Sequence, residues 1–237
     1  MELERPQLVP DPSLSRAEMK AQQSEIAAIA RFEDTGAEAP SLVAGVDQAF
    51  DGDTVVSAAV LLQSGSLLER SSARVETDVP YMPGLLSFRE GAAALASLTA
   101  LTRRPELVLV DGSGRIHPRE AGLATHIGVA LGMPTVGVAK SLLCGRPVSS
   151  LADPLATGTR VRIEADDDIA APDGTTVGYA VQTRQYDAAT RHINPVYTSP
   201  GHRVSATTAA ESVEQTATEY KLPDPIHRAD RRAAELS

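Results

Sequence analysis

One stretch of this chain, from Leu42 to Ala139, restricts its fold more than any other. Leu42–Phe50, Thr54–Gln63 and Leu67–Thr77 are apolar-rich runs of period-two character, joined by the turn formers Asp51-Gly52 and Ser64-Gly65. Successive strand side chains point to opposite faces, and two-residue loops of this composition close hairpins, so the three runs predict an antiparallel meander. The pattern then changes. A Pro/Gly-punctuated loop at Asp78–Gly84 leads into a helix from about Ser87 to Thr102, with Ser87 as N-cap and Glu90 at the capping-box position. Glu106–Val110 reads as a short buried strand ending at Asp111, His117–Gly132 as a loop and helix, and Thr135–Ala139 as another buried strand.

The order strand-strand-strand-helix-strand-helix-strand, with right-handed crossovers, predicts an α/β fold of the ribonuclease H-like type. Its central sheet is mixed, three antiparallel strands and then two parallel ones, with helices on both faces. Outside it, Ser15-Arg16-Ala17-Glu18 fits the capping box of a helix that ends before the Gly36–Pro40 break. Arg160–Glu164 and Thr176–Arg184 are candidate strands, Ser205–Tyr220 a candidate helix, and the Arg-rich tail from His227 is expected to fray or to pack late. At 237 residues, a single domain is expected: a helical leader over 1–40, the core over 41–140, and an extension over 141–237 that completes the site.

This topology brings three acids together. Asp47 lies in the first strand, Glu90 opens the first core helix and Asp111 ends the fourth strand. A carboxylate in an apolar strand is costly unless something compensates its charge. Singly, each acid has an ordinary explanation: an arginine partner for Asp47, a helix cap for Glu90, a turn before Gly112 for Asp111. Jointly they point to a divalent cation, and hard oxygen ligands select Mg²⁺, with Mn²⁺ as a substitute, over zinc. Cys144 is the only cysteine, which excludes an internal disulfide and a thiolate zinc cluster; it is expected to be a packing residue. No apolar run is long enough for a membrane span, and Met1–Pro10 lacks a signal pattern, so a cytoplasmic protein is expected.

Four blocks resemble the endonuclease V family: Ala44-Gly45-Val46-Asp47, the run from Pro80-Tyr81-Met82-Pro83 to Ser87-Phe88-Arg89-Glu90, Asp111-Gly112 through His117-Pro118-Arg119 to Ala139-Lys140-Ser141, and Pro195-Val196-Tyr197 to Ser199-Pro200-Gly201-His202-Arg203. The resemblance implies that Asp47, Glu90 and Asp111 bind the metal and that His202 lies near the metal or the attacking water. It makes Lys140 a phosphate contact and Pro80-Tyr81-Met82-Pro83 a wedge that fills the gap left by a base drawn out of the stack. Gly84, Leu85, Gly137 and Leu142 would line the pocket for that base, with His117 nearby. His126, His192 and His227 match no motif and are read as structural. Two departures stand out: Phe50 where many members carry tyrosine, and a poor match over Cys144–Asn194, with an acidic insert at Glu164–Asp168.

The resemblance implies a repair endonuclease that recognises deoxyinosine in DNA and hydrolyses the second phosphodiester bond 3′ of the lesion, leaving 3′-hydroxyl and 5′-phosphate ends. It is expected to act as a monomer. The alternatives are an inosine-specific endoribonuclease, a lesion-binding protein without cleavage, and a different ribonuclease H-like nuclease such as a junction resolvase. Charge runs against all nucleic-acid readings: 22 Lys and Arg stand against 31 Asp and Glu, a formal net charge of −9, whereas phosphate neutralisation supplies most non-specific affinity. Lysine occurs only at Lys20, Lys140 and Lys221, and tryptophan is absent. A host with molar internal salt reconciles these facts, because the Debye length there is only about 3 Å; nucleic acid would then be held by short-range contacts.

Overall fold

The computed structural model describes residues 1–35, 40–186 and 192–237. Helix α1 (Arg16–Ile29) opens on the expected capping box, the Ser15 amide donating to the Glu18 carboxylate at 2.9 Å. Most of the Gly36–Pro40 break lies outside the described residues. The meander follows as β1 (Leu42–Asp51), β2 (Thr54–Gln63) and β3 (Ser66–Glu76). Its first turn is one residue later than expected: Asp51 pairs with Thr54, so Gly52 and Asp53 form the loop, with Gly52 at φ +59. Ser64 and Gly65 both take positive φ, as a two-residue hairpin turn requires.

Helix α2 (Leu86–Thr99) begins a residue before Ser87, with Leu85 at its N-cap and no side-chain cap. Ser87 is buried in the first turn, so it caps nothing and Glu90 has no capping-box partner. Strand β4 (Leu107–Asp111), helix α3 (Leu123–Leu131) and strand β5 (Thr135–Ala139) complete the expected order. Beyond them come β6 (Arg146–Pro147), β7 (Arg160–Glu164), β8 (Thr176–Val181), β9 (Val196–His202), α4 (Ala206–Thr216) and α5 (Asp224–Leu236). The tail expected to fray or to pack late is thus a helix packed on β1 and β2.

One nine-stranded sheet runs in the order β3-β2-β1-β4-β5-β9-β8-β7-β6, with β1, β4 and β5 parallel and the remaining neighbours antiparallel. Residues 141–202 therefore extend the same sheet. The period-two alternation divides its two faces. Ala44, Val46, Val108 and Val110 meet Leu95 and Leu98 of α2 and Ile127 of α3, while Val43, Leu107, Leu109 and Val136 meet Ala210 and Val213 of α4 and Ile226 of α5. Gly45 lies on the second face, and a Cβ there would stand 2.1 Å from the Pro225 carbonyl carbon. That close approach seats the start of α5 directly on β1. No helix among the described residues is long and apolar enough to cross a membrane.

Candidate active site

Strand register decides which acids meet. Val43 pairs with Leu107 and Val46 with Val110 across β1 and β4, so Asp47 and Asp111, one residue further on, stand side by side. By the same alternation both belong to the face covered by α5. Asp47 is 5% exposed; one carboxylate oxygen accepts from the Gln48 amide at 2.7 Å, and the other, Oδ2, is buried without a partner. Burial first, and the Asp111 charge second, push the Asp47 carboxyl up to about 9. Glu90, from the first turns of α2, is likewise pushed up to about 7 by burial and then by Asp111.

A fourth acid, Asp230 on α5, adds its charge to Asp47 and to Lys140. The sequence hides it, because the stretch from His227 reads as an Arg-rich tail. Ile226, Ala229 and Ala233 recur there at helical spacing and are all buried, and an acid at the edge of that stripe was the available signal. Lys140 follows β5 and donates to Asp111 Oδ2 at 2.7 Å. Burial pushes its ammonium down, but Asp111, Asp47 and Asp230 outweigh that and raise it above its ordinary value, so it stays charged among the acids. Among the described residues, no three His, Cys, Asp or Glu side chains are already gathered as a ready cation cage.

His202 is not with the acids. It pairs with Thr135 at the start of β5, whereas Asp111 pairs with Val138 near its end, about 10 Å along the strand. Because β9 runs antiparallel to β5, its C-terminal residue comes to the opposite end of the strands from Asp111. There His202 is 2% exposed and accepts from the Arg31 amide at 3.2 Å; burial foremost, then Arg203 and Arg5, lower it to about 4. The expectation that it lies near the metal or the attacking water is corrected: His202 sits away from the acids, buried, with its Nε2 lacking a partner among the described residues. Ser199 and Pro200, from the same motif, hold the loop after Asp111 through Gly114 N to Ser199 Oγ at 2.9 Å and Arg115 N to Pro200 O at 2.8 Å.

Beside the acids, a small cavity of about 60 Å³ is walled by Tyr81, Met82, Pro83 and Gly84 on one side and by Ser113, His117 and Leu123 on the other. Asp111 leads directly to Ser113, and Leu86 and Ser87 of α2 also line the cavity, so the elements that carry the acids carry this cavity too. Tyr81 is 67% exposed at its mouth. Three donors converge on the Gly84 carbonyl: Gln23 Nε2 at 2.9 Å, His117 Nε2 at 2.9 Å and Arg119 Nη2 at 3.1 Å. His117 Nδ1 accepts from the Arg119 amide at 3.1 Å, which fixes the Nε2–H tautomer, and burial holds the imidazole neutral with its pKa lowered to about 4.

Three expected lining residues sit elsewhere. Leu85 is buried against Met19, Val79 and Phe88, and its neighbour Leu86 takes the lining position. Leu142 packs toward the cluster of Ile163 and Val177, leaving Leu143 at the cavity. Gly137 lies beneath the loop, where a Cβ would come within 2.4 Å of Gly114 N; it supports Ser113 without facing the cavity. Of the residues read as structural, His126 is fully buried on the Leu8 carbonyl and His227 stacks on Tyr220. Burial pushes the Cys144 thiol up to about 12, as suits a packing residue, and Arg89 covers the Phe50 ring at 4.4 Å.

Known proteins resemble this chain in sequence and in fold. The family model for endonuclease V matches residues 24–231. An endonuclease V from the halophilic archaeon Haloarcula marismortui is 55% identical, covering 98% of this chain and 96% of that one. The crystal structure of the Streptomyces avermitilis endonuclease V superposes with a TM-score of 0.81 at 32% identity, over 100% of this chain and 97% of that chain. That of a Ciona intestinalis endonuclease V, in complex with DNA containing an inosine followed by a ribo-adenosine, gives 0.73 at 25% identity, over 94% and 98%. By family match, sequence and ribonuclease H-like fold together, the chain belongs to the endonuclease V family.

Proposed function

We propose that this chain hydrolyses a phosphodiester bond of DNA beside a deoxyinosine, the second bond 3′ of the lesion, as a magnesium-dependent repair nuclease. The observation that carries the reading is the buried, unpartnered Asp47 Oδ2 in register with Asp111. An all-oxygen set of Asp47, Glu90, Asp111 and Asp230 suits a hard cation, and drawing the side chains inward on binding would satisfy the orphaned oxygen. Such an ion supplies charge stabilisation at the phosphate and eases deprotonation of water.

The remaining work falls to the chain itself. Lys140, kept cationic by its acid neighbours, neutralises a phosphate oxygen or holds Asp111 in place. Tyr81 on its stiff Pro-flanked loop fills the space vacated by an extruded base. The cavity holds roughly two waters, so a purine enters only if Tyr81 and Leu143 swing outward. Ser113 then offers a short-range polar contact to the base edge, and His117, with both ring nitrogens engaged, holds the Gly84 wall of the cavity in place. The DNA-bound Ciona relative supports a DNA substrate. The unbroken sheet supports a single domain.

End-labelled strands carrying deoxyinosine, riboinosine or neither, incubated with Mg²⁺ or EDTA, test the proposal. Magnesium-dependent cutting at the second bond 3′ of deoxyinosine is expected. Cutting beside riboinosine alone would move the enzyme to RNA, and lesion binding without any cut would overturn the hydrolytic reading.

A further inference from the structure

Away from the lesion cavity, a cleft of about 700 Å³ opens between the Ser64–Ser66 turn, the loop joining α4 to α5, and the outer face of α5. Arg70, Arg228, Arg231 and Arg232 line it. Several arginines elsewhere in this acidic chain are engaged by carboxylates, as in Arg115–Glu120 at 2.7 Å and Arg162–Glu164 at 2.7 Å. In the cleft, Arg232 alone is paired, with Glu235 at 3.2 Å; Arg70, Arg228 and Arg231 have no ion pair or side-chain hydrogen bond among the described residues. Three free guanidinium groups around one opening, in a protein of net charge −9, concentrate positive charge where an anion can be held at contact distance. Of the three acids there, Glu235 is paired with Arg232, Asp224 accepts from the Thr218 hydroxyl at 2.5 Å while its Oδ1 is buried without a partner, and Glu219 makes no ion pair among the described residues, so the four arginines still outnumber the acids.

We propose that this cleft is a second nucleic-acid site, holding the phosphate backbone of a single-stranded segment of the substrate outside the lesion cavity. The inference rests on the reading of the chain as a nucleic-acid hydrolase. Guanidinium groups bind phosphate through paired hydrogen bonds at contact distance, and such contacts persist where molar salt has removed long-range attraction. Tyr220, 44% exposed and stacked on His227 at 3.7 Å, supplies an aromatic face at the same cleft. Cationic groove plus aromatic platform is the combination that holds unpaired strands without regard to sequence. Helix α5 links the two sites: Asp230, beside Asp47, precedes Arg231 directly, so a strand held in the cleft is anchored on the element that completes the acid cluster.

The salt dependence of binding tests the site. Anisotropy of a long labelled deoxyinosine strand is measured in EDTA across a KCl series, for wild type and for R70A/R228A/R231A. Three single-strand phosphate contacts at about 0.7 each make the wild-type slope of log K against log salt steeper by about two. R70K/R228K/R231K should recover most of that difference, and a strand trimmed to the nucleotides around the lesion should be bound with equal slopes. Equal slopes on the long strand, with circular dichroism showing all variants folded, would overturn the inference while leaving inosine-directed cutting intact. Wild type that neither cuts nor prefers the lesion strand, yet still differs in slope from the triple alanine variant, would remove the hydrolase reading and leave the cleft standing.

Discussion

Asp47 concentrates the chemistry of this molecule because its environment works against its charge. Below about pH 4 it is protonated folded or unfolded; between there and about 9 the folded chain holds a proton that the unfolded chain has released. Stability from this group is therefore full at low pH and is lost as pH rises through about 9, with Glu90 contributing the same sign through about 7. Metal-free protein should accordingly lose thermal stability between pH 6 and pH 9. Asp47→Asn should flatten that decline, which thermal melts in EDTA would read directly; a decline as steep as wild type would place the charge strain elsewhere. Magnesium must displace the same protons, so its affinity should rise over the same interval, as calorimetric titration at several pH values can show. In activity, Asp47→Asn should abolish cutting, by a factor of about a thousand or more if the metal carries the step, while deoxyinosine binding survives. Unaltered cutting would refute the metal assignment.

At the scale of elements, two contacts far apart in sequence hold the site. The first is α5 on β1: any side chain at Gly45 runs into the Pro225–Ile226 backbone. Gly45→Ala should lift the helix and Asp230 with it, costing about 1–3 kcal/mol and lowering kcat; a variant with native stability and rate would show that α5 is not fixed there. The second is α1 on the wedge loop, where Gln23, fully buried, bridges the Gly84 carbonyl and Arg119 Nε. Gln23→Leu leaves polar groups unsatisfied at about 1–3 kcal/mol; it should raise KM for inosine strands more than it lowers kcat, because the acids are untouched. The segment read as a leader thus positions the cavity. Its role was not legible, since Met19, Gln23 and Ile26 show burial only once a partner surface exists. By contrast β1 to β5 were legible to within a residue or two, because short local periods and turn chemistry determine them. Strand β9 was hidden by Pro200-Gly201, residues that ordinarily break strands. Helix α5 was hidden by Pro225 and its arginines. The acids of β1, β4 and α2 could be read together because a familiar strand order aligns them, whereas Asp230 and the displacement of His202 depend on how the last third of the chain folds back.

For the molecule as a whole, charge and salt have to be taken together. Thirty-one acids against 22 basic residues would oppose both compaction and approach to a polyanion in dilute buffer. The basic groups are not spread evenly: Lys140 stands among the site acids, and free arginines ring the cleft on α5. Such clustering lets contact-range attraction operate while screening silences the remainder. The 55% identity to a Haloarcula marismortui relative supports a halophilic origin in which that screening is the normal condition. Melting temperature should then rise from dilute buffer to molar KCl, by about 5–10 °C if relief of repulsion is worth a few kcal/mol in a domain of this size. Cutting should peak in high KCl, although phosphate binding by an ordinary nuclease falls steeply there. Sodium sulfate at matched ionic strength separates screening from general strengthening of apolar burial: if the two salts act alike per unit ionic strength, charge relief is the cause, and if sulfate alone stabilises, the acid surface is not what salt acts on. A melting temperature highest in dilute buffer would remove the halophilic reading and, with it, the explanation of how so acidic a chain holds nucleic acid.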